Sequence, residues 1–385
     1  MRLRTIFLIV VVASAGCTQT EPDPPTAPTG VEPTGPTPSE SPSGTTLADG
    51  SLLPGGCSER LPRSGQTVAF VAEGRAWALQ PGTGRLTCMF EVDDPGPFAW
   101  GPQGDRVLLG RLEVHAVGFE ALRHRATGQT ADVFDWGHPM GTAIVFTPEG
   151  RPSKPEKLYL EEDRLGTLRQ LPRGTYIDVA YHPSGLALGF ILERAGRQSI
   201  WISTNEGLEP ERLVFSKAGT RFTSIEFTPD GQELVWTAQH ANGYPQVHAM
   251  DLADRSGFTN GWRGEVGQFA TGLRLAPVGD ASTVDEGEDC EGRRALVLEG
   301  SRAEPLLPDE SRSTSALGWL DGVTVLVAAG GCDEPSDLFA VDIADGDATL
   351  LVSGVEIAAS RAKAPPGPDE VPVPAEEEPP PGGVG

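Results

Sequence analysis

The chain is poor in cations. It carries 30 Lys and Arg against 54 Asp and Glu over 385 residues, a formal charge of −24. A surface of that sign repels phosphates, so nucleic acid is excluded as a partner. After the first sixteen residues no apolar run approaches the roughly twenty residues that cross a bilayer, so the remainder is expected to be exported whole. Helical 3.6-residue periodicity is nearly absent, which excludes an all-α or α/β domain. There is no HExxH, no G-x-S-x-G and no CxxC, so zincin chemistry, a serine-hydrolase elbow and a cysteine metal knuckle have no support. The six histidines (His115, His124, His138, His182, His240, His248) show no ligand spacing.

The first stretch, "MRLRTIFLIVVVASAGCTQTEPDPP", has Arg2 and Arg4 ahead of an apolar run from Ile6 to Ala15. That is the pattern of a signal peptide, residues 1–16. "SAGC" resembles a bacterial lipobox ending at Cys17, with Ser14 where leucine is usual. Cleavage after Ala13–Ala15 and a soluble secreted form is the alternative. The chain has five cysteines, an odd number for an exported protein, and lipidation of Cys17 leaves four for the fold. The expected location is the outer face of the cytoplasmic membrane, held by a lipidated Cys17. Residues 17–56 are rich in Pro, Thr, Ser and Gly and read as a disordered tether. In extended polyproline II its 39 residues after Cys17 reach on the order of 100 Å. Residues 362–385, rich in Pro and Glu, read as a disordered tail. The expected folded part, 57–361, keeps 44 acids against 27 Lys and Arg.

Within it one phrase recurs. "FAWGPQGDRVLLG", "AIVFTPEGRP", "DVAYHPSGLALGF", "SIEFTPDGQELVW" and "GLRLAPVGDAS" share a P-x-G core. In four of them an aromatic (Trp100, Phe146, Tyr181, Phe227) stands two residues before the proline, and Leu275 takes its place in the fifth. "ALGWLDGVTVLVAA" and "LPRSGQTVAFVAEG" are weaker copies. The repeat glycines are Gly65, Gly104, Gly150, Gly185, Gly231, Gly279 and Gly322, spaced 39, 46, 35, 46, 48 and 43 residues apart. Self-similarity near forty residues marks a propeller or solenoid. Proline cannot donate to a strand ladder and starts a turn, and glycine accepts positive φ there. Each copy supplies a strand, a turn and a second strand. Third and fourth strands follow in stretches such as "SIWIST" and "RLVFS". Four strands per repeat is one propeller blade.

These aromatic-x-Pro-x-Gly copies, with hairpins such as "VDIADGD", resemble the WD40-like PD40 repeats of TolB-type β-propellers over nearly the whole folded region. The separate N-terminal domain of that type has a tether in its place here, so no Tol–Pal role is carried over. The resemblance implies an all-β single propeller of four-stranded antiparallel blades. Seven blades are expected from seven motif copies. Six is the alternative, if the short third repeat is degenerate. A strand near 354–360, "GVEIAAS", is expected to complete the first blade and close the ring.

Of three connectivities, the pairs expected are Cys57–Cys88, which lie before the first local strand and in the last strand of blade one, and Cys290–Cys332, which fall at equivalent places in adjacent blades six and seven. "DEGEDCEG" offers Asp285, Glu286, Glu288 and Asp289 as oxygen ligands for Ca²⁺ on a blade-six loop, against the plainer reading of a solvated acidic loop. No other cofactor is expected. Trp136 and Trp262 fall in apparent loops and are candidates for an exposed binding surface. No catalytic residues stand out. The expected function is an envelope protein-interaction scaffold or a ligand-binding receptor whose partner is an envelope protein or small ligand. The alternatives are a hydrolase or lyase acting on sugar or peptide at the channel mouth, and a Ca²⁺-dependent binding module.

Overall fold

A computed structural model describes most of residues 45–361. Residues 1–44, 55–66, 101–105, 117–130, 138–142, 260–269 and 362–385, with loop stretches of four residues or fewer, fall outside the described set. Among the described residues there is no helix, and the strands form seven antiparallel sheets. Six sheets have four strands or more. The other, in the second repeat, has three described strands (Phe98–Trp100, Arg106–Leu109, Glu113–Ala116). The six full blades match the alternative count. The three-stranded sheet occupies the second position, and the stretch after it, 117–130, lies outside the described residues.

Five of the seven sheets follow chain order from an inner strand outward; the first takes its inner strand, and the seventh its outermost strand, from the opposite end of the chain. Inner strands lie side by side in the order Ala131–Trp136, Thr175–Tyr181, Arg221–Phe227, Ala270–Leu275, Ser313–Trp319, Ile357–Arg361 and Phe98–Trp100. The ring is closed by Ile357–Arg361, which pairs with Thr67–Ala72 and completes the first blade (Arg361 opposite Thr67, Ile357 opposite Val71).

The repeat turn folds as its residues dictate. In Thr228–Pro229–Asp230–Gly231 the Gly231 N–H donates to the Thr228 carbonyl at 2.7 Å, with proline at the second position and glycine at the fourth. Gly231 has φ 72°, which a Cβ would strain. His182–Gly185 closes the same way at 2.7 Å. Gly150, Gly185 and Gly279 also have positive φ, while Gly322, in the shortened copy, does not. Gly65 and Gly104 lie outside the described residues.

The third repeat is shifted by one strand. Its Pro148-Glu149-Gly150 ends the second strand, Ala143–Pro148, not the first. The first strand is Ala131–Trp136, and the sequence after it, "WGHPMG", carries another aromatic, Pro139 and Gly141. Counting Gly141 instead of Gly150 turns the uneven 46 and 35 into 37 and 44. The repeat is therefore not degenerate.

The apolar cores lie between blades. Ala69, Val71, Phe98 and Trp100 join the first and second, and Phe222, Phe227 and Trp236 pack with Ile191 and Ile200 between fourth and fifth. Trp77 and Trp236 are almost fully buried. Each removes about 150–250 Å² from water, worth roughly 4–6 kcal/mol before ordering costs.

The fold also begins before residue 57. Thr46–Leu47 adds a fifth strand to the outer edge of the seventh blade, opposite Ser353 and Val352. The Thr45 hydroxyl donates to the Gly354 carbonyl at 2.9 Å, and Leu47 and Leu53 pack on the core. The stretch expected as tether to 56 is therefore part of the fold from Thr45 to Pro54. Physically, this covers an otherwise open strand edge.

Candidate binding channel

Two kinds of turn divide the ring into two faces. The repeat turns, joining first to second strands, lie on one face. The second-to-third turns and the connections between blades lie on the other. Between them runs a central cavity of about 620 Å³, lined by inner-strand residues of blades two to seven.

Among the described residues its charge comes from three acids and one cation on consecutive inner strands: Asp135, Asp178, Glu226 and Arg274. Asp135, Glu226 and Arg274 occupy the same repeat position, one residue before the motif aromatic or its equivalent (Trp136, Phe227, Leu275). A β-bulge interrupts the inner strand in blades three to seven, at Ala131/Val133, Tyr176/Asp178, Phe222/Ser224, Thr271/Arg274 and Ala316/Gly318. Bulges re-aim side chains and often stand beside sites.

The acids reach forward to the next blade. Asp135 Oδ2 accepts the Tyr181 N–H (2.5 Å), Asp178 Oδ2 the Ile225 N–H (2.9 Å) and Glu226 Oε2 the Leu275 N–H (2.9 Å). Asp285, on the second strand of blade six, accepts the Ala316 N–H of blade seven at 2.8 Å. The motif aromatic reaches backward, as where Trp319 Nε1 donates to the Arg274 carbonyl at 3.2 Å. Each such bond contributes about 0.5–1.5 kcal/mol when the acid is protonated and about 1.5–3 kcal/mol when it is ionised, so the acids fasten one blade to the next.

Burial raises all four acids. Asp135 and Asp285 are pushed up to about 6, Asp178 to about 7 and Glu226 to about 8. Burial is the largest cause in each, opposed by backbone N–H donors and the positive charge of Arg274. The Arg274 guanidinium is exposed in the channel and donates to the Leu273 carbonyl at 2.7 Å. Asp135 and Asp178 use their second oxygen on a local N–H, of Trp136 and Val179. Among the described residues Glu226 Oε1 has no hydrogen-bond partner. Glu226 and Arg274 therefore keep polar capacity directed at whatever enters.

The residues singled out by sequence fall elsewhere. Asp285 does not stand in a loop: it is buried on a strand, with Glu286 next to it and directed to the opposite face. Glu288 and Asp289 lie outside the described residues. Among the described residues no group of three His, Cys, Asp or Glu could hold a metal. Trp136 is not exposed: it is buried with Ile144 and Phe146 at the end of an inner strand. Trp262 lies outside the described residues. Cys290 and Cys332 are joined, Cα to Cα 5.5 Å, across blades six and seven. Cys88 is disulfide-bonded too, and Cys57 lies outside the described residues. His240 and His248 meet edge to face at 5.7 Å, and burial pushes His248 down to about 4, so it is neutral at pH 7.

No family model and no curated protein matches the chain. Among solved structures it is similar to TolB from Acinetobacter baumannii (15% identity, 78% of this chain and 66% of that one, TM-score 0.44). The chain thus spans just under two thirds of that TolB. It is also similar to a putative TolB from Agrobacterium tumefaciens (12%, 77% and 100%, 0.43) and to the Swd1 β-propeller domain of Myceliophteria thermophila (13%, 68% and 84%, 0.46).

Proposed function

We propose that this propeller works by binding, as an exported receptor or scaffold anchored through a lipidated Cys17 to the outer face of the cytoplasmic membrane. The central channel is its recognition site, for a small ligand or a partner side chain bearing a basic group. One observation carries the reading: four charged side chains from consecutive inner strands meet one water-accessible cavity, and two of them, Glu226 and Arg274, retain unused polar capacity there. A cation entering the channel favours the ionised acids that burial disfavours, so binding and ionisation reinforce each other. A hydrogen-bond acceptor on the same ligand meets Arg274. The described channel holds no paired nucleophile and base, so binding accounts for it better than hydrolysis or lysis does.

The test is a thermal-shift panel of spermidine, agmatine, basic dipeptides and amino sugars against the wild type, Glu226→Gln and Arg274→Gln. The reading expects at least one cationic compound to raise the wild-type melting temperature and to lose that effect in Glu226→Gln. A panel in which no cation acts, or acts equally on all three proteins, refutes it.

A further inference from the structure

The cations of this acidic protein are not spread evenly. On the face that carries the connections between blades, the sector around blade four holds Arg173, Arg194, Arg197, Lys217 and Arg221, all exposed. Arg173 lies on the way into that blade, Arg194 and Arg197 flank its second-to-third turn, and Lys217 and Arg221 lie on the way out. Two contacts are direct: Arg194 Nε donates to the Arg173 carbonyl, and the Arg197 guanidinium sits 5.7 Å from the centre of the Phe215 ring. Phe215 ends the blade's outer strand, is 46% exposed, and also has the Arg212 guanidinium 5.1 Å from its ring centre. Among the described residues the acid of this sector is Glu193, which accepts from Gln198 Nε2 at 3.3 Å. Elsewhere on the same face acids prevail toward blades six, seven and one, at Glu291, Glu334, Asp337, Glu73 and Glu356.

We propose that this arginine-rich sector, with Phe215 at its centre, docks on an anionic lipid surface. Three observations converge. Charges beyond about 8 Å are screened at physiological salt, so the sector in contact governs attraction and the overall acidity does not. An exposed aromatic ringed by guanidinium groups suits the boundary between headgroups and acyl chains. The chain enters the propeller on this same face, where Thr45 contacts Gly354 and Glu73. The 27 residues between Cys17 and Thr45 span at most about 100 Å, enough to let this face lie flat on the membrane that holds Cys17. The proposal rests on the anchored reading for its setting, but it is tested without the anchor.

The experiment uses the full chain with Cys17→Ser, which carries no lipid, in co-sedimentation with phosphatidylcholine vesicles with and without about 30% phosphatidylglycerol. Binding is expected only with the anionic lipid, and to fall as salt rises. Each basic residue near such a surface contributes on the order of fivefold, so Arg194→Gln with Arg197→Gln should weaken binding at least tenfold. Arg85→Gln with Arg302→Gln, the same change of charge on the opposite face, should leave it unchanged. Equal binding to both vesicle types, or equal loss in both double variants, overturns the proposal. So does unchanged vesicle binding in the Arg194/Arg197 variant alongside loss of an acidic protein partner, which would make the patch a protein-docking surface. Fractionation of wild type against Cys17→Ser tests the anchor separately. A failed anchor with intact vesicle binding overturns only the anchored reading.

Discussion

Glu226→Gln separates the electrostatics of the channel from its packing. Glu226 Oε2 accepts the Leu275 N–H and Oε1 has no partner among the described residues, so the amide can keep the acceptor and turn its NH₂ into the channel. The carboxyl is raised from 4.5 to about 8, first by burial and then, against the pull of Arg274, by Asp135 and Asp178. The folded state therefore holds the proton to higher pH than the unfolded chain does. Between pH about 4.5 and 8 the folded state binds more protons, so stability falls as pH rises and then levels off. At about 1.4 kcal/mol per tenfold difference in proton affinity, the shift sets an upper bound of about 5 kcal/mol on the cost of ionised Glu226. Because the group opens onto channel water and faces Arg274, about 1–2 kcal/mol is the expected net effect. Glu226→Gln should match the wild type near pH 5 and exceed it by that amount at pH 9. Urea denaturation of both proteins across this range is the assay. An offset independent of pH, or a wild type that gains stability toward pH 9, refutes the reasoning.

Arg274→Gln removes the cation that lowers all four acids, so its loss of stability should be larger at pH 8 than at pH 5 in thermal melts. The Cys290–Cys332 bridge closes a separation of 42 residues, for which chain entropy gives about 4 kcal/mol, and Cys332→Ser should lower the denaturation midpoint accordingly. Gly231→Ala should cost more than Gly279→Ala in chemical denaturation. Both have positive φ, at about 1–2 kcal/mol for a non-glycine residue. Only at Gly231 would the new Cβ meet His182 Nε2, at 2.5 Å. A chain starting at residue 55 should melt lower and self-associate in light scattering, because the edge of Ala348–Val355 loses its cover from Thr46–Leu47.

The propeller was legible because the turn chemistry repeats. Pro-x-Gly after an aromatic forces the same strand–turn–strand unit wherever it occurs, and "GVEIAAS" closes the ring by its likeness to inner strands. Gly150 misled because a second Pro-x-Gly happens to follow the second strand of blade three, while the true inner strand ends at Trp136. That shift also made Trp136 look like a loop residue. The strand at Thr46–Leu47 was hidden because two residues in a Pro- and Ser-rich stretch carry no periodicity. What holds them is a neighbouring edge far away in sequence. Asp178, Glu226 and Arg274 stand in the quoted motifs, in "DVAY", "IEF" and "LRL", while Asp135, in "FDW", lies ahead of the third copy. A lone charge inside an apolar inner strand is the signal that finds them. Asp285 read as a loop ligand because "DEGEDCEG" looks like one acidic run, although the strand ends after its second residue.

The channel's role is tested most directly by calorimetric titration of the full chain with spermidine near pH 7, in buffers of different ionisation enthalpy. A cation seated beside Glu226, whose proton is held up to about 8, should expel protons as it binds. The wild type should release a measurable fraction of a proton per ligand, and Glu226→Gln less. Absence of binding, or binding with no proton release in either protein, would contradict a cation site in the channel.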